Sequence, residues 1–192
     1  MEQTRRSRKR DTTHRAIMHS AKLLFEKEGI ANVTIEKIAE GADVSRSTFF
    51  SHFESLEDLL SQIANEEIND IIKAADNNGS TDISAVFKQL TEDTYPYPLL
   101  TSELFVRSIL SSKESSISKM LSLITGEIEK DGYSALPDVF TSKDISAFIL
   151  GAYFGLIFQK LIDNEPFENP DETNDKIQHF IKFLKNQEET KQ

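Results

Sequence analysis

Cysteine is absent from the 192 residues, and glycine is scarce at seven. Without cysteine the chain has no disulfide, no thiol nucleophile and no Cys-based zinc or iron–sulfur site. The few glycines form neither a phosphate-cradling loop nor a GxSxG elbow. Strand-period alternation, internal repeats and low-complexity tracts are missing too, so no β architecture or solenoid is indicated. No uncharged run is long enough to span a membrane. The uncharged stretch Ile145 to Gln159 falls short of the ~20 residues required, and Lys143, Asp144, Lys160 and Asp163 flank it closely. The basic N-terminus is not followed by an apolar signal core, so a cytoplasmic location is expected and export is not.

What is present is an uneven charge. The net charge is −10. Residues 1–56 hold ten Lys/Arg and eight Asp/Glu, a net of +2, which leaves −12 on residues 57–192. An acidic chain with a basic end does not bind nucleic acid indiscriminately; any DNA is directed to the N-terminal end. Arg5, Arg6, Arg8, Lys9 and Arg10 concentrate that charge in an arm suited to phosphates or the minor groove.

With 38% apolar residues, the pattern is all-α with about nine helices. Ile17, Ala21, Leu24 and Phe25 make the stripe of a first helix over about 11–28, stopped at Gly29. Ser55 to Asp58 is a capping-box signal opening a fourth helix that runs to about Ala75. The break at Asn77 to Ser80 precedes a fifth over 83–94. Tyr95-Pro96-Tyr97-Pro98 interrupts rigidly before a sixth over 99–110. A break over 111–116 leads to a seventh ending near Lys130, and a loop follows through Pro137. Thr141 to Asp144 signals another box at the head of the most apolar helix, to about 162. Asn169 and Pro170 open the last, over 170–187, striped by Ile177, Phe180, Ile181 and Leu184; the tail from Glu188 should fray.

The functional signal lies in Val33 to Phe53. Thr34 caps a short helix with Ile35, Ile38 and Ala39 at helical spacing. Gly41 and Asp43 turn the chain, and Ser45 caps a second helix over 46–52 whose Phe49 and Phe53 face a core. Arg46, Ser47, Thr48, Ser51 and His52 then point elsewhere. A face of small polar donors plus an arginine, at the N-terminal end of a braced helix, suits a DNA major groove. An ordinary αα-hairpin with a polar outer face is the bland alternative. The candidate DNA-binding set is Thr34, Ser45, Arg46, Ser47, Thr48, Phe50, Ser51 and His52.

The longer string IEKIAEGADVSRSTFFSHFESLEDLL resembles the DNA-binding domain of the tetracycline-repressor (TetR) family of bacterial transcription regulators. Thr34, Ile38-Ala39, Ala42, Val44-Ser45, Thr48-Phe49-Phe50, His52-Phe53 and Leu59-Leu60 carry the resemblance. Three positions depart from the pattern: Asp43 for a turn glycine, Phe50 for a common tyrosine, and Leu56 for a frequent lysine. The last two remove phosphate contacts. The resemblance implies a DNA-binding domain over residues 1–54 and a helical effector-binding and dimerisation domain over 55–192. It also implies a homodimer, a double-stranded palindromic operator, and most often repression relieved by a small effector. The dimer interface would lie on the last two helices, at Phe148, Ala152, Gly155, Leu156, Gln159, Ile177, Phe180, Ile181 and Leu184. Gly151 and Gly155 would let another helix approach, whether of this chain or a partner. The effector pocket would draw on Tyr95, Tyr97, Phe105, Arg107, Met120, Phe148 and Tyr153, with Phe154 and Gln159 nearby. Such a lining suits an apolar ligand, flat or long, with one hydrogen-bonding or anionic end.

No cofactor is expected. His14 and His19 do not share a helix face. Asp175 and His179 could share a metal, but a surface pair is the simpler reading. The competing functions are an all-α lipid- or nucleotide-modifying enzyme, a helical adaptor, and an activator or effector-free regulator.

Overall fold

A computed structural model describes residues 5–77, 80–110, 116–131 and 139–185. Among these residues the protein is all-α, with nine helices. In chain order they are α1 (Arg5–Glu28), α2 (Ile35–Gly41), α3 (Arg46–Phe50), α4 (Leu56–Ala75), α5 (Ile83–Thr94), α6 (Pro98–Leu110), α7 (Ser116–Asp131), α8 (Ser142–Ile162) and α9 (Pro170–Lys185). The break expected after α4 is a minimal antiparallel ladder, β1 (Asp76–Asn77) with β2 (Ser80–Thr81). The expected break over 111–115, the loop over 132–137 and the tail from Glu188 lie outside the described residues.

The capping signals act as the side-chain chemistry dictates. Thr34 Oγ1 accepts from the Lys37 N–H at 3.3 Å, and Ser45 Oγ from the Thr48 N–H at 3.0 Å. Thr141 and Asp144 form a reciprocal capping box at the head of α8. At α4 the return bond differs. Asp58 reaches the Glu54 N–H at 2.9 Å, one residue before the Ser55 cap.

Two helix bounds differ from the sequence pattern. α1 begins at Arg5, six residues before Asp11, so the basic arm is an extension of the helix. Arginine and lysine are good helix formers, and no proline or glycine intervenes to stop them. α3 is only five residues long, although backbone hydrogen bonds carry its turn on to Phe53.

Two separate cores organise the helices. The first gathers Ile17, Ala21 and Phe25 of α1, Ile38 of α2, Phe49, Phe53, and Leu59, Leu60 and Ile63 of α4. The second is built from the C-terminal half of α4 together with α5, α7, α8 and α9. Helix α8 is long and apolar enough to cross a membrane by length and composition. Its Ile149, Tyr153, Phe154 and Ile157 are buried in the second core. Lys160, almost wholly buried, closes the α8–α9 corner through Glu165 at 2.9 Å and Glu172 at 3.8 Å. Tyr95 of the Tyr-Pro-Tyr-Pro turn shares a buried 2.7 Å hydrogen bond with Thr173 of α9.

α1 and α2 meet most tightly at Ser20 and Gly41. Ser20 donates to the Ile38 carbonyl at 3.0 Å, and a Cβ on Gly41 would lie 2.4 Å from that same hydroxyl oxygen. Gly41→Ala should therefore displace Ser20 and destabilise the chain by about 1–3 kcal/mol, as overpacking does. Urea denaturation measures this, and Ser20→Ala added to Gly41→Ala should recover part of the loss. A Gly41→Ala protein as stable as the parent would show that the contact does not constrain the helix pair.

Candidate functional site

The turn between α2 and α3 depends on Asp43, whose φ of 53° is left-handed. Aspartate tolerates this conformation better than most non-glycine residues. Val44 packs under the turn against the first core, and Phe49 is fully buried. This fixes α3 with Ser45, Arg46, Ser47, Phe50 and Ser51 exposed. The polar groups there are already engaged with one another. Ser45 Oγ lies 2.8 Å from both Ser47 Oγ and Thr48 Oγ1, and Ser51 donates to the Thr48 carbonyl at 2.7 Å. Thr48 is half-buried. Arg46 pairs with Glu36 at 3.2 Å, and its guanidinium sits 5.5 Å above the Phe50 ring. Both members of that pair are well exposed, so it contributes only about 0–1 kcal/mol and can open.

His52 does not share this outer face. It is half-buried beside His14 of α1, with ring centroids 5.7 Å apart, while His14 stacks on Phe53 at 4.6 Å. Burial, with the nearby His14 and Arg10, lowers the His52 pKa, so the ring is neutral at pH 7. No local pattern marks this pairing, because the two histidines are 38 positions apart. Of the three departures, Leu56 has a packing role: half-buried, it lies against the first core.

A second candidate site is a cavity of about 60 Å³ in the C-terminal half of the molecule. α4, α5, α6, α7 and α8 all line it. Of the expected pocket residues, it brings together Phe105 and Met120, with Phe154. Tyr95 is held by Thr173, and Tyr153 donates to the Leu90 carbonyl at 3.2 Å; neither is among the cavity lining. Tyr97 packs on the first core, 5.9 Å beneath the Lys22 ammonium. Phe148 is exposed, edge-on to Phe140. Arg107 lies outside too, paired with Glu103 at 3.2 Å and Glu57 at 3.6 Å, because two carboxylates on the surface hold it there.

The polar lining of the cavity is instead acidic: Glu67 and Asp93, with Thr94, Thr101 and Ser108. Glu67 pairs with Lys22 of α1. Burial opposes the charge on Lys22, but the Glu67 hydrogen bond and charge outweigh it and raise its pKa. Asp93 accepts from Gln89 at 2.9 Å through Oδ1, while its buried Oδ2 and the buried Thr94 Oγ1 have no hydrogen-bond partner. Burial, reinforced by Glu67, pushes Asp93 up to about 6.

The third face runs along α8 and α9. Phe148, Gly151, Gly155, Gln159 and Ile162 are exposed, with Ala152 and Leu156 half-buried beside them. A Cβ on Gly151 or Gly155 would meet nothing within 4 Å, so neither glycine serves packing among the described residues. On α9, Phe180 is half-buried and Phe183 is 57% exposed. Ile177, Ile181 and Leu184 differ from expectation: they are buried in this chain's own second core, where the helical stripe packs inward. His179 Nδ1 lies 2.7 Å from the Asp175 carbonyl oxygen, so that pair is engaged through the backbone. No cluster of three metal-ligating side chains occurs among the described residues.

A braced three-helix unit with a left-handed turn and a polar third helix defines a helix-turn-helix DNA-binding protein. Residues 17–63 match the model of the bacterial regulatory proteins, tetR family. No characterised protein matches the chain by sequence. Its structure is similar to that of a transcriptional regulator (TerR/AcrR family) from Aquifex aeolicus VF5, at 21% identity and a TM-score of 0.70, over 90% of this chain and 99% of that one. It is also similar to the fatty acid degradation regulator FadR from Bacillus halodurans, at 14% identity and 0.70, over 96% and 97%. A third is NalD of Pseudomonas aeruginosa, the secondary repressor of the MexAB-OprM multidrug efflux pump, at 17% and 0.63, over 92% and 98%. Residues 17–63 are thus a tetR-family helix-turn-helix domain, and the chain as a whole has the fold of these transcriptional regulators.

The raised pKa of Asp93 has a consequence for stability. Its folded pKa of about 6 lies above the ordinary 3.8, so the folded chain binds the proton more tightly than the unfolded one. Stability therefore falls as pH rises from about 4 to 6, and the loss persists above that. Asp93→Asn should stabilise the protein at pH 7 by on the order of 1–2 kcal/mol, the partial exposure of Asp93 holding it to this range, and by almost nothing at pH 4. Thermal melts across this pH range check it, and equal gains at both ends would contradict the assignment.

Proposed function

We propose that the chain is a cytoplasmic repressor that binds a pseudo-palindromic operator as a homodimer and leaves it when a small effector fills the C-terminal cavity. The observation that carries the effector reading is that α4 and α6 wall the cavity and also belong to the DNA-binding core. Ile68 and Ile71 of α4 line the cavity, while Leu59, Leu60 and Ile63 pack the first core. Leu104 of α6 does both, and Leu100 is buried with the first core. Glu26 of α1 accepts from the Leu99 and Leu100 N–H groups at 3.2 and 2.9 Å, which seats the start of α6 on the DNA-binding helices. A ligand that parts α4 from α6 would thus shift the recognition helices. Residues 1–54 form the reading unit and 55–192 the sensing and pairing unit.

The operator contacts fall to Thr34, Ser45, Arg46, Ser47, Thr48, Phe50 and Ser51, with the basic end of α1 on the flanking phosphates. His52 supports the face from behind. The dimer contact falls to the α8 stripe around Gly151 and Gly155, with Phe148, Ala152, Leu156 and Gln159, and to Phe180 and Phe183 of α9. Its support is an apolar helix face with two open glycines, which allow close approach of a second helix.

Sequencing the DNA recovered on the purified protein tests the reading as a whole. It should yield a palindrome whose half-sites lie about 34–36 Å apart, or multiples of that. Arg46→Ala should weaken operator binding by about 1–3 kcal/mol if the contact is to a base. Glu36→Gln should tighten it, since the carboxylate both occupies Arg46 and faces phosphate. Electrophoretic shifts measure both, and unchanged affinity in Arg46→Ala would remove Arg46 from the interface. Gly155→Glu has room in the monomer, so it should fold as the parent does yet sediment as a monomer. A folded Gly155→Glu that stays dimeric would place the interface elsewhere.

A further inference from the structure

We propose that the cavity between α4, α5 and α6 recognises an organic cation, an alkyl- or arylammonium whose head meets Asp93, Glu67 and Thr94. This deepens, and rests on, the effector reading above. The lining carries two carboxylates and no lysine, arginine or histidine. Asp93 Oδ2 and Thr94 Oγ1 are shielded from solvent without a partner, and a buried acceptor left unpaired is costly. An ammonium donor satisfies both, whereas a carboxylate ligand would face the charge of Asp93, that of Glu67 being offset by Lys22. Burial raises Asp93 only to about 6, so it keeps its negative charge at pH 7.

The rest of the wall suits the body of such a ligand. Phe105 and Phe154 stack with centroids 3.7 Å apart, and their faces attract cations as well as apolar groups. A void of about 60 Å³ takes an ammonium and its first carbons, since about 10–15 Å³ on the same measure holds a water. A longer tail must displace Phe105, which is only half-buried. The same chemistry supplies a route to the DNA. Glu67 is the carboxylate that holds Lys22 of α1 against α4. A ligand cation competes with Lys22 for it and loosens α1 from the cavity wall.

The test uses octylammonium, octanoate and octanol, matched in chain length, titrated calorimetrically into the full chain without DNA. Octylammonium should bind, and octanoate at least tenfold more weakly. Asp93→Asn should weaken octylammonium at least tenfold and leave octanol unchanged. Thr94→Val, which loses a hydroxyl that has no partner and keeps its shape, should weaken it less. Absent octylammonium binding, octanoate binding as tightly, or an Asp93→Asn protein that binds the cation like the parent would each overturn the proposal. Operator release is read separately by electrophoretic shift, expected with octylammonium on the parent and lost in Asp93→Asn. Asp93-dependent binding without release would uphold the cation site and overturn the effector reading instead.

Discussion

The apolar face of α4 is buried twice. Leu59, Leu60 and Ile63 belong to the DNA-binding core, and Ile68, Ile71 and Ala75 to the core of the C-terminal half. A twenty-residue helix spans about 30 Å, long enough to enter both cores. α6 makes the second link, because its first turn is seated on Glu26 while its middle lines the cavity. α4 and α6 thus connect the two cores.

Electrostatics follows the same path. Lys22 and Glu67 join α1 to α4 at the edge of the cavity, and Asp93 stands next to them in charge though not in sequence. The acidic excess of the C-terminal residues is thus more than a solvated surface. Part of it is turned inward, where burial makes carboxylates costly to ionise and responsive to a cation.

On the DNA face, the departures from the family pattern are balanced locally. Asp43 takes the left-handed turn that glycine would take at less cost, and Leu56 exchanges a phosphate contact for packing against the core. Phe50 lacks a hydroxyl but offers its ring to Arg46. The recognition turn is held by its own network of hydroxyls, from Ser45 to Ser51, which orders it before any DNA arrives.

Local chemistry was legible in the sequence wherever the partners are neighbours along the chain. The caps at Thr34, Ser45 and Thr141, the turn at Asp43 and the helical stripes each depend on residues one to four apart, and the all-α class and the helix-turn-helix followed from them. Contacts between distant segments were not legible. That Ile177, Ile181 and Leu184 pack inward while Phe183 stays exposed depends on how α9 rotates against α5 and α8, which a helical period leaves open. His52 turned inward because α1 placed His14 beside it. Arg107 lies outside the cavity and Asp93, which no pattern along the chain marks, lines it for the same reason. The stripe on α6 does not say which carboxylates lie within reach, and surface acids captured the arginine while burial left the aspartate facing the cavity. Spacing along one helix determines which residues share a face. What that face meets is decided only when the helices pack, because it depends on groups dozens of residues away.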